Sequence, residues 1–85
     1  MYVIVGSVTM ATRLKKQLEK ASGHSASVVH TPAQLAKSSG CSYSVRVDNS
    51  LYSMIRPLCN ELGISLKKIY LEETDGEERV FNAVP

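Results

Sequence analysis

Ser27-Val28-Val29-His30-Thr31 and Tyr43-Ser44-Val45-Arg46-Val47 are the two stretches whose reading decides the fold. The second alternates, with Tyr43, Val45 and Val47 on one side and Ser44 and Arg46 on the other. That period of two predicts a strand with one covered and one wetter face. The first is β-branched and stopped by Pro32, and predicts another strand. Residues 32–42 join the two, with room for a helical turn around Ala33–Ala36.

Outward on the N-terminal side, Tyr2-Val3-Ile4-Val5 is continuously apolar, as expected of a central strand. Gly6-Ser7 ends it. Met10, Ala11, Leu14, Leu18 and Ala21 then recur at helical spacing; Ser7 or Thr9 caps the start and Gly23 the end. On the C-terminal side, Asp48 or Asn49 caps a second helix whose inward stripe is Leu51, Met54, Ile55, Leu58 and Leu62. Pro57 falls inside it and removes one backbone bond near Ser53. Ser65 through Leu71 predicts a fourth strand, and Asp75-Gly76 turns the chain toward a fifth around Arg79-Val80-Phe81. The expected fold is α+β: a ferredoxin-like βαββαβ arrangement, with two helices on one face of an antiparallel sheet and an optional C-terminal hairpin. The open face of such a sheet calls for a partner, so a homodimer is expected.

Residues 1–85 predict one domain, with 72–85 an acidic hairpin or extension. Residues 1–71 carry nine Lys/Arg and three Asp/Glu, whereas 72–85 carry one Arg and five acids, so the overall +2 is unevenly spread. Lys15, Lys16, Lys20 and the pair Lys67-Lys68 read as a solvated helix face and a charged edge strand, which the acidic end neutralises. No apolar run approaches the ~20 residues of a membrane helix, so no membrane contact is expected. Two cysteines are too few for a disulfide framework. A cytoplasmic protein with reduced thiols follows.

Cys41 stands in a loop of small polar residues, Ser38-Ser39-Gly40-Cys41-Ser42. A thiol in such a loop is free to react, whereas one in a core packs. Strand directions bring the Gly6-Ser7 turn, this loop and the end of the second helix, with Cys59, to one end of the domain. There the first turn of the first helix favours a Cys41 thiolate. Ser38, Ser39 and Ser42 offer hydroxyls to it or to a bound anion. Cys59 is either a small core hydrophobe or a thiol that resolves Cys41 as a disulfide. His30 is a candidate base or anion contact.

Other chemistries lack their residues. Gly6 stands alone and Ser39-Gly40 has no following Lys-Thr, so no phosphate-binding loop is present. There is no serine nucleophile elbow and no carboxylate pair. The six-residue spacing of His24 and His30 fits no metal pattern. No cofactor or metal is expected. Tyr2 and Tyr43 fall short of an RNA-binding aromatic run, so nucleic acid is not the expected partner.

The segment Thr31-Pro32-Ala33-Gln34-Leu35, followed by Gly40-Cys41-Ser42-Tyr43-Ser44-Val45-Arg46-Val47, resembles a small bacterial family of selenium/sulfur-carrier-like proteins over roughly residues 1–72. Its members carry a proline-led loop ending in Gly-Cys-Gly before an alternating strand. Gly40 and Cys41 match that motif, and Ser42 stands where the family has its second glycine. The resemblance implies a carrier, rather than a turnover enzyme, that holds sulfur or selenium on Cys41 and meets donor and acceptor proteins. The alternative is a non-catalytic, dimeric ferredoxin-like module that binds a ligand or regulates at the same end of the sheet.

Overall fold

The computed structural model describes residues 1–85 except Cys41, Glu77 and Pro85, and leaves aside the side chains of Ser38, Ser39, Thr74, Asp75, Glu78 and Arg79. Along the chain run β1 (Tyr2–Val5), α1 (Val8–Ser22), β2 (Ser27–His30), α2 (Ala33–Ser39), β3 (Tyr43–Arg46), a short 3-10 turn (Asn49–Leu51), α3 (Tyr52–Leu62), β4 (Leu66–Asp75) and β5 (Glu78–Val84). The strands form one antiparallel sheet in the order β2-β3-β1-β4-β5. The result is α+β with three helices. The predicted β-α-β-β-α-β order lacks α2, which stands between β2 and β3.

Local signals account for the ends of α1. The Ser7 hydroxyl accepts the N–H of Met10 at 3.2 Å, and Gly23 closes the helix at φ 74°. Among these residues only glycine takes that left-handed conformation without strain. Ala11, Leu14 and Leu18 of α1 join Leu51, Ile55 and Cys59 in a core over one sheet face, against Val3, Val5, Val45, Val47 and Ile69. The 3-10 turn is begun by Asp48, whose carboxylate accepts the N–H of Ser50 at 2.9 Å.

Part of the opposite face is also covered, which corrects the expectation of a wet face at Ser44. Tyr2, Ile4 and Tyr70 are buried there together with Leu35 of α2. Seven residues of helix are marginal alone; α2 exists because Leu35 closes over this face. Ser44 is consequently fully buried, not on a wet face, while Tyr43 is partly exposed. Leu35 of α2 thus packs over part of the face that was expected to be open.

β4 and β5 form the expected hairpin, with Asp75 opposite Glu78. Among the described residues β5 pairs with β4 from Ile69 to Asp75, and Lys67 and Lys68 precede that stretch. The register of β4 against β1 slips there: Ile4 faces Lys68 and Val5 faces Leu66. Lys67 is the extra residue of that bulge. No helix among the described residues is long and apolar enough to cross a membrane.

Candidate functional site

The chain leaves β2 at Thr31 and re-enters β3 at Ser42, and these two residues are tied by a 2.9 Å bond from the Thr31 N–H to the Ser42 carbonyl. Everything between them is an excursion pinned at its base. Pro32 opens it with φ −52° and with its carbonyl accepting the N–H groups of Leu35 and Ala36, each at 2.9 Å. Gly40 closes it at φ 70°, its N–H donating to the Ala36 carbonyl at 2.9 Å. A side chain there would strain the left-handed turn, although space for a Cβ is open. Gly40 therefore sets the direction in which the chain leaves α2.

Beside this turn lies a cavity of about 340 Å³. Gly40 and Ser42 form one wall, and Val5, Gly6, Ser7 and Val8 form another at the start of α1. Tyr43 and Lys67 complete it. Four residues singled out from the sequence, Gly6, Ser7, Gly40 and Ser42, thus share one concavity. Cys41, with both chain neighbours on its wall, lies outside the described residues, and so do the side chains of Ser38 and Ser39.

His30 is placed one step away. Its ring lies against Tyr43 with centroids 4.6 Å apart, and Tyr43, not His30, lines the cavity. His24 is at the other end of β2, near Asp48, whose carboxyl is held below its ordinary value first by its bonds to Ser50 and in small part by His24. The two histidines therefore do not meet. Cys59 is 2% exposed in the core, and burial pushes its thiol above the ordinary value, so it stays protonated. Its reach to Cys41 falls outside the described residues.

Sequence reasoning overlooked Lys67 as a site residue. A lysine on a strand reads as a solvated face, and the bulge that turns it toward the cavity depends on how two distant strands register. The pair Lys67-Lys68 on an otherwise apolar strand was the available signal. Electrostatically the cavity has one positive side chain, the first-turn N–H groups of α1, and no carboxylate on its described walls. That environment favours an anion or a thiolate.

Two hydroxyls near the excursion are buried without a hydrogen-bond partner among the described residues: Thr31 Oγ1 and Ser44 Oγ. Neither lines the cavity.

A family model described as "Putative Se/S carrier protein-like" matches residues 1–71. The match runs from β1 into β4 and leaves out the hairpin's second strand. Neither the curated proteins nor the solved structures contain a match to the chain.

Proposed function

The chain belongs to the Se/S carrier protein-like family, and we propose that it carries sulfur or selenium on the thiolate of Cys41. The Cys41 thiolate attacks the outer sulfur of a donor persulfide, R–S–SH. A new Cys41–S bond forms, the donor S–S bond breaks, and the donor leaves as the thiolate R–S⁻. The outer proton stays on the transferred sulfur, so the product is Cys41–S–SH with charge and electrons balanced. Attack of an acceptor thiolate on that outer sulfur returns Cys41 to its thiolate. Selenium follows the same path from R–S–SeH.

One observation carries this reading: the residues on either side of Cys41 wall a cavity with the start of α1 and Lys67. A positive charge and free helix N–H groups near a cysteine lower its pKa and raise its thiolate fraction at neutral pH. Gly6, Ser7 and Gly40 supply close backbone approach to the transferred atom. Ser42, Ser38 and Ser39 supply hydroxyls. Cys59, buried and protonated, is assigned to packing. Carriage needs a free thiol, which a reducing cytoplasm preserves. The same reading takes the β2-β3-β1-β4 portion, with α1 and α3 over one face, as a ferredoxin-like core to which α2 and β5 are additions.

The test is the rate of Cys41 alkylation against pH in the Cys59→Ser protein. An apparent pKa well below about 8.5, the value of a free thiol, is expected. A midpoint at or above that value would overturn an activated carrier thiol.

A further inference from the structure

The solvent face of α1 bears Arg13, Lys16 and Lys20, three exposed cations spaced one turn apart. They span roughly 10 Å along the helix axis. The one acid of α1, Glu19, is turned to the flank, where Lys15 donates to it at 3.0 Å and the Ala26 N–H at 3.2 Å. Its carboxyl is held below the ordinary value by those bonds. Arg13, Lys16 and Lys20 have no carboxylate partner among the described residues.

The head of this stripe meets the candidate site. Val8, Thr9, Thr12, Arg13 and Lys16 line a second concavity of about 400 Å³, and Val8 is common to it and to the cavity beside Gly40. Val8 is 48% exposed, the most exposed large apolar side chain described.

We propose that this face docks a partner protein through a ridge of carboxylates on successive helical turns, with one apolar side chain of the partner seated at Val8. The proposal rests on the carrier reading for its purpose: it would set a donor or acceptor thiol at the cavity while the stripe fixes orientation. Charge complementarity and an exposed aliphatic contact at one end favour a protein over a nucleic acid. A base would need a free aromatic face, and the Tyr43 ring beside the cavity is already set against His30.

The probe is a synthetic amphipathic helical peptide with glutamates on successive turns and one leucine at its end, titrated into the isotope-labelled full chain and followed by backbone amide shifts. Saturable shifts are expected along α1 and at Gly6 and Ser7, weakening as salt is raised. The double reversal Arg13→Glu/Lys16→Glu is expected to weaken binding about tenfold, while Arg56→Glu on α3 leaves it unchanged. No saturable shift at low salt would overturn the proposal. So would a double reversal that binds as well as the parent, or tighter binding of a single-stranded oligonucleotide or phosphatidylserine vesicles on the same residues. The Cys41→Ser protein is expected to bind the peptide as the parent does. Docking and carriage thus fail separately, because sulfur loading from inorganic polysulfide does not involve the peptide.

Discussion

Lys67 and Ser7, sixty residues apart in the sequence, line one cavity. The cause is a slip in register. β1 pairs with β4 residue for residue up to Ile4 and Lys68, then Val5 pairs with Leu66, leaving Lys67 out of the ladder beside the turn that Ser7 begins. A bulge of this kind re-aims a side chain without ending the sheet.

Removing that charge tests its influence on Cys41. Lys67→Gln is expected to slow iodoacetamide alkylation of Cys41 at pH 7 by roughly threefold to tenfold. Far-UV circular dichroism should be unchanged, since Lys67 is exposed. An unchanged alkylation rate would separate Lys67 from the site.

Ser7 has a second role as the cap of α1. Ser7→Ala is expected to lower stability by about 1 kcal/mol, and Ser7→Gly by only a few tenths. Urea denaturation of the two variants beside the parent measures the difference. Equal losses would mean that the hydroxyl does not cap.

Ser44 offers the opposite sign. Its hydroxyl is buried and unpartnered among the described residues, so Ser44→Ala removes a desolvated polar group for a small loss of volume. Stability is expected to rise by about 1 kcal/mol. A loss of similar size in urea would reveal a hydrogen bond at Ser44.

Stability should pass through a maximum in mild alkali. The Met1 amine donates to the Val47 carbonyl at 2.7 Å and to Asn49 Oδ1 at 3.0 Å, and burial, aided by Arg46, pulls its pKa below 8.0. Its protonated form is disfavoured in the fold, so stability rises with pH up to about 8. Cys59 is shifted up from 9.0 by burial, so its contribution is complete below that value and is lost as pH climbs through the raised one. Urea midpoints between pH 6 and 10 should rise and then fall, and Cys59→Ala should remove the alkaline fall. A midpoint that declines steadily from pH 6 would contradict the Met1 assignment, and an alkaline fall that persists in Cys59→Ala would contradict that of Cys59.

Much of the scaffold was readable from residue spacing alone. The Ser7 and Gly23 caps, the helical stripe through Leu14 and Leu18, and the Asp75-Gly76 turn are all local features, and local chemistry decides them. What escaped depends on distant pairs. Ser44 alternates as a wet-face residue, yet Leu35 of a seven-residue helix buries that face together with Tyr2, Ile4 and Tyr70. A turn around Ala33–Ala36 was foreseeable, but its burial value depends on strands thirty or more residues away in the chain. Lys67 escaped for the same reason, since a bulge is a property of two strands together. The gathering of Gly6, Ser7, Gly40 and Ser42 was readable because strand direction alone brings those turns to one end.

The most direct test of carriage is the intact mass of the protein after incubation with inorganic polysulfide and removal of excess reagent. The Cys59→Ser protein is expected to gain the mass of one sulfur atom, localised to Cys41 by peptide mapping and released by dithiothreitol, while Cys41→Ser gains none. A folded Cys59→Ser protein that gains no sulfur, or a Cys41→Ser protein that loads as well as the parent, would contradict the account.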